Sequence, residues 1–180
     1  MRLRRKYPPR LRRIRPANPR IKVRSLPVVS TKSPKEKVVV GWREWVTFPG
    51  LLEEPVKAKI DSGARTSAIH AVDIQTFTER GAPHVSFILY PLQRRLKPAI
   101  KCVAEICDER EITSSTGHRH ARYVIEVEAR LGNVTWPIEL TLADRAPMGF
   151  RLLLGRQALK GGFLINPNRS FIASKRIVKN

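Results

Sequence analysis

Val56-Lys57-Ala58-Lys59-Ile60-Asp61-Ser62-Gly63-Ala64-Arg65-Thr66-Ser67-Ala68-Ile69-His70 is the stretch on which the reading of this chain rests. Val56, Ala58 and Ile60 alternate with Lys57 and Lys59, the two-residue period of a strand with one buried face. The alternation stops at Asp61, and Ser62-Gly63 brings in turn chemistry. Glycine takes backbone paths closed to residues with a Cβ, and a serine hydroxyl bonds back to the main chain. From Ser67 to Ile74 the pattern is again that of a strand. The Asp61 carboxyl is therefore expected on a tight loop between two core strands, the rigid mounting that proton transfer requires. Asp-Ser-Gly is also a common turn, so the tripeptide alone does not separate a catalytic acid from a surface loop.

Length and composition bound the possibilities. The 180 residues suit one ordinary domain plus an extension, and 42% hydrophobic residues suffice for a packed core. No apolar run approaches the ~18 residues that span a bilayer. The basic N-terminus is not followed by an apolar segment, so no secretory signal is expected. Cys102 and Cys107 lie in one apparent strand, about 16 Å apart if extended, too far for a disulfide. Both are expected reduced, in a cytoplasmic protein.

The formal charge of +20 is unevenly placed. Residues 1–37 hold 14 Lys/Arg against Glu36 alone, and 38–180 hold 21 bases against 14 acids. Pro8, Pro9, Pro16, Pro19, Pro27 and Pro34 defeat helix and central strand in the first segment. Residues 1–37 are thus expected to be a disordered basic arm, either attached electrostatically to RNA (conceivably the ribosome) or simply a solubilising tail.

From residue 38 onward the chain reads as a β protein. Val38 to Val46 is rich in strand formers, with a bend expected near Gly41 and core packing for Trp42 and Trp45. Strands follow at 85–90 and 99–107, then a hairpin over 108–127 whose tip is Ser114-Ser115-Thr116-Gly117. Pro137 gives the strand over 134–142 an edge position. Phe150 to Leu154 reads as a strand buried on both faces, and Gly155 turns it into a short helix, Arg156 to Lys160, ended by Gly161-Gly162. Short strands at 163–165 and 170–172 close the domain.

Ile60-Asp61-Ser62-Gly63-Ala64 followed by Thr66 resembles the active-site loop of aspartic peptidases. Leu152-Leu153-Leu154-Gly155-Arg156, about ninety residues on, resembles the strand-to-helix segment that closes the retropepsin monomer. Gly41-Trp42-Arg43-Glu44-Trp45-Val46, Lys59 to Ala68, His70-Ala71, Arg110, Ser114-Ser115 and Gly117 narrow the resemblance further. It is to the retropepsin-like peptidases of the RimB type, often labelled "ATP-dependent zinc protease", over roughly residues 38–173. That group is associated with the ligase that adds glutamates to a ribosomal small-subunit protein, and some members trim glutamate chains.

The resemblance implies an all-β fold: a closed retropepsin-like barrel over 38–180 with one short C-terminal helix. It implies that Asp61, Ser62 and Gly63 are catalytic, with Asp61 meeting its twin across a homodimer. Two such carboxylates share one proton: one activates water while the other donates to the scissile carbonyl. The 108–127 hairpin would be the flap. Substrate contacts are expected from Ala64, Arg65, Thr66, Ser115, Gly117, Arg122 and Arg110, with arginines matching a polyglutamylated protein tail. Arg156 is expected to be structural, in an internal ion pair, and His70 to be a hydrogen-bonded structural residue.

This mechanism uses no cofactor, and the sequence has neither His-Glu-x-x-His nor a paired Cys-x-x-Cys for zinc. Only His118-x-His120 offers paired ligands, and no metal is expected. The rival from another class is a catalytically silent module that binds the glutamate ligase or ribosomal RNA. It would cut no peptide and would lose affinity steeply with salt.

Overall fold

In a computed structural model the protein is described over residues 36–113 and 119–174, the side chains of 111–121 apart. Eleven strands and one helix run in the order β1 (Val38–Gly41), β2 (Arg43–Phe48), β3 (Leu52–Asp61), β4 (Ser67–Glu79), β5 (Ala82–Leu89), β6 (Ile100–Glu105), β7 (Asp108–Thr113), β8 (Arg119–Leu131), β9 (Val134–Ala143), β10 (Leu152–Gly155), α1 (Arg156–Leu159) and β11 (Phe163–Asn166). The all-β expectation holds. The expected basic arm falls almost wholly outside the described residues, and β1 begins at Val38.

Six strands close a ring in the order β10-β3-β2-β8-β9-β4, and β10 returns to β4. Closure removes free sheet edges and leaves one interior for alternate side chains. Val46, Phe48, Val56, Ala58, Ile125, Leu131, Leu140, Leu142, Leu152 and Leu154 are all buried. β10 pairs parallel to β3 and antiparallel to β4, so Leu152 and Leu154 are buried and Leu153 half-buried, as its apolar run requires. β4 is buried from Ser67 to Ala71, then leaves the ring past an irregularity between Val72 and Gln75 to pair with β5. β6 extends that outer ribbon, and β7 forms a hairpin with β8. Pro137 sits where β9 pairs with β8 alone, because pairing with β4 begins only at Leu140.

Three local expectations are corrected. Trp42 and Trp45 are half-buried rather than core: Trp42 meets Phe150 edge-on, and Trp45 stacks on Phe171 at 5.6 Å. The alternation of β2 turns Glu44 inward instead, with no exposed surface. Segment 170–172 is not a strand: the Phe171 N–H donates to the Arg43 carbonyl at 2.9 Å, but the next amide, of Ile172, turns to a side chain and no ladder continues. Glu44 Oε1 accepts from the N–H groups of Gly41 (2.7 Å), Ile172 (2.8 Å) and Ala173 (3.3 Å). Its Oε2 accepts from the Ser174 N–H (3.1 Å) and hydroxyl (2.5 Å). Five donors satisfy a carboxylate that burial would otherwise penalise heavily. Lastly, Cys107 lies past the end of β6 and is exposed, while Cys102 is buried; both are free thiols.

Candidate active site

Asp61 is the last residue of β3, at the point where the register with β10 ends on Gly155. The following loop curls back on its carboxylate. Asp61 Oδ1 accepts from the N–H groups of Gly63 (3.1 Å) and Ala64 (3.2 Å), and Lys59 Nζ reaches Oδ2 at 3.0 Å. The Lys59 hydrogen bond, with help from both amides, holds the Asp61 carboxyl below its ordinary value against an opposing contribution from burial. In the single chain this acid is half-buried and held by two loop amides and the Lys59 ammonium together.

The loop is braced from behind by the β10–α1 turn. Arg156 N–H donates to the Ala64 carbonyl (2.8 Å) and Gln157 N–H to that of Arg65 (3.1 Å). Gly155 N–H donates to Ser67 Oγ at 3.2 Å. A Cβ on Gly155 would stand 2.6 Å from the Thr66 carbonyl carbon, so only glycine lets the two segments approach this closely. The Arg156 side chain is exposed and donates to the Gly63 carbonyl at 3.3 Å, a contact to backbone in place of the expected ion pair.

Ser62, Arg65 and Arg156 line an open recess of about 520 Å³ together with Gln157, Lys160 and Ile165. Ser62 and Arg65 are exposed, and Ala64 and Thr66 half-buried. The β7–β8 hairpin forms as expected through the pair Thr113↔Arg119. Ser115, Gly117 and His118 lie outside the described residues, as does the side chain of His120. Arg122 is half-buried on β8, and Arg110 sits opposite it on β7. Arg110 is already engaged by Asp108 and Glu139, each at 2.7 Å.

His70 is buried on β4 and accepts at Nδ1 from the Arg145 N–H at 3.0 Å. Asp144 Oδ1 lies 3.4 Å from the same nitrogen. An Nδ1 that accepts a hydrogen bond carries no proton, so the Asp144 approach is not an ion pair in this state. Burial, followed by the charge of Arg151, holds the imidazole below its usual range. These contacts fit a structural histidine.

Arg145 was not singled out from sequence. It follows β9 in the loop to β10, and its guanidinium is half-buried and donates through Nε to the Phe150 carbonyl at 3.2 Å. It lies within electrostatic reach of Asp61 and of Arg122. Asp144-Arg145 reads in sequence as ordinary loop charge; only the fold ties Arg145 to His70 and Phe150.

Residues 39–176 match the RimB-like family, described as "Retropepsin-like aspartic endopeptidase RimB". Among curated proteins, the chain is 44% identical over 140 residues to a "Probable alpha-L-glutamate ligase" of Shewanella pealeana, covering 78% of this chain and 31% of that protein. It is 44% identical over 131 residues to a protein of the same description from Desulfotalea psychrophila, covering 73% and 28%. The chain thus spans under a third of the curated relatives it matches. Among solved structures it resembles a Legionella pneumophila protein described as of unknown function, with a TM-score of 0.65 at 23% identity. That likeness covers 77% of this chain and 99% of the other and concerns the fold.

Proposed function

The chain belongs to the RimB-like family of retropepsin-like aspartic endopeptidases, and from that premise we propose that it hydrolyses peptide bonds in glutamate chains carried on a protein tail. The observation that carries this reading is the Asp61 carboxylate, fixed by two loop amides on a braced turn. Two copies of the chain would place their Asp61 residues together, one ionised to activate water and one protonated to donate to the scissile carbonyl. Ser62 and Gly63 would hold the paired loops.

A second copy also suits the surface around the loop. Val39, Leu164, Ile165 and Ile172 are exposed apolar side chains at or beside the β1–β11 pair, and Ile165 lines the same recess as Ser62. Covering them would stabilise a dimer by apolar burial.

The substrate class rests on charge and on the relatives. Arg65 beside the loop and Arg122 on β8 are available for carboxylates, whereas Arg110 is occupied by Asp108 and Glu139. In the relatives named as probable glutamate ligases, the similar segment makes up about a third of the polypeptide. A hydrolase joined to a ligase would act on what the ligase makes. Tail and ribosome are linked in this reading by the arm, whose 14 bases would attach to RNA.

The test is incubation of wild type and Asp61→Asn with α- and γ-linked glutamate oligomers, read by mass spectrometry. Wild type shortens one series and Asp61→Asn neither. Equal trimming by both proteins would remove Asp61 from the chemistry.

A further inference from the structure

Arg65, Arg156 and Lys160 all line the recess that opens beside Ser62, and no residue lining it is acidic. Their side chains are exposed, and among the described residues none of the three forms an ion pair. Their backbones are fixed. The Arg65 carbonyl accepts from the Gln157 N–H at 3.1 Å, which ties the acid loop to α1. Arg156 opens that helix and Lys160 follows four residues later, the spacing that puts two side chains on one face. The Arg156 guanidinium gives one NH2 group to the Gly63 carbonyl at 3.3 Å, and among the described residues its other donors make no hydrogen bond.

The rest of the recess wall is largely apolar. Leu159 is buried, and Phe163 and Ile165, two residues apart on β11, turn to the same side. Leu164, in register with Val39, turns to the opposite side, so the recess is separate from the exposed pair Val39 and Leu164.

Such a site suits a negative charge at the end of a short apolar stem. Cations gathered without a counter-charge repel one another, and a carboxylate placed among them replaces repulsion with attraction. A free phosphate would meet the charge and leave Phe163 and Ile165 uncovered. A glutamate side chain does both: its methylenes cover the apolar wall while its carboxylate accepts from a guanidinium fork and an ammonium. The volume of about 520 Å³ is in the range of small-ligand sites. Ser62, at the mouth, directly follows the site acid in the chain.

We infer that this recess is the receptor for a glutamate side chain of the peptide bound at Asp61, with Arg65, Arg156 and Lys160 as its carboxylate contacts, and that it decides the preference for acidic over neutral substrates. This rests on the peptidase reading above for the course of the peptide, but it concerns binding and is tested without turnover.

The experiment is calorimetric titration of the full-length Asp61→Asn protein at fixed ionic strength, alone and combined with K160Q, with R65Q and K160Q together, or with K101Q. Arg156 is left intact because it also holds the Gly63 carbonyl. The probes are α- and γ-linked tetraglutamate and tetraglutamine. K160Q should weaken binding of the preferred tetraglutamate about threefold and the double variant about tenfold, the scale of exposed charge pairs with one guanidinium fork among them. K101Q removes the same charge from an exposed position on the outer ribbon and should change little. Tetraglutamine should not distinguish the four proteins. Failure of Asp61→Asn to bind either tetraglutamate, unchanged affinity in the double variant, equal weakening for tetraglutamine, or equal weakening by K101Q would each overturn the assignment. If the double variant melts at a lower temperature, K160Q against K101Q decides. Wild-type cleavage separates the two readings. Asp61-dependent trimming with recess-independent binding sinks only this inference. Recess-dependent binding without trimming sinks only the peptidase.

Discussion

Gly155 packs so tightly beneath Thr66 that a side chain on it would meet the Thr66 carbonyl group and stand 3.0 Å from the Arg65 carbonyl carbon. Backbone on both sides of this contact is tied by hydrogen bonds, so neither side yields cheaply. Gly155→Ala should therefore cost about 1–3 kcal/mol, the usual range for overpacking. It should also lower kcat more than that loss of folded protein accounts for, because the Asp61 loop moves. Thermal unfolding and peptidase assays on the same preparation check both.

Lys59→Gln removes the group that contributes most to keeping Asp61 ionised. The Asp61 carboxyl should then hold its proton to higher pH. In a shared-proton pair one member must be ionised, so the acid limb of the kcat/KM profile should move to higher pH. A pH–rate series on both proteins measures it, and an unmoved limb would detach Lys59 from the chemistry.

His70 is held below its usual range in the folded state. The unfolded chain therefore takes up a proton, with a pKa of about 6.5, before the native protein does. Stability from this residue is full above that pH and declines as the pH falls below it. His70→Asn keeps an acceptor for the Arg145 N–H but cannot ionise. Urea unfolding between pH 7.5 and 5 should show a smaller decline in the variant.

Glu44→Gln places an amide NH2 among five donors that need an acceptor. Losing charge-assisted bonds and burying a mismatched donor should cost roughly 3 kcal/mol. Residues 169–174 should release first, because Ile172, Ala173 and Ser174 all bond to that carboxylate. Hydrogen exchange resolves the local effect, and urea titration the global one.

Burial pushes the Cys102 thiol up to about 12, whereas Cys107 is exposed. The thiolate is the reactive form. A disulfide reagent at neutral pH should modify one thiol, Cys107, in the folded protein and the second only in denaturant. Peptide mapping identifies the site.

The β3-turn-β4 arrangement around Asp61, the buried β10 strand and the α1 turn were legible because each depends on local pattern: alternation, turn residues, an apolar run. Pro137 was legible too, since a missing N–H constrains pairing wherever it stands. Trp45 and Glu44 were not. A strand's period says that its two faces differ but not which one the barrel encloses, and a carboxylate becomes a core residue only when five donors from residues 41 and 172–174 converge on it.

The sequence by itself determined that an acid stands on a rigid loop between two strands of a β domain, because strand period and turn chemistry are properties of neighbouring residues. Only the tertiary structure decided which cations face that acid. Arg110 is spent on Asp108 and Glu139, while Lys59 reaches Asp61 Oδ2 at 3.0 Å. Ring closure is a non-local event, and partners that lie tens of residues apart leave no periodic trace in the chain.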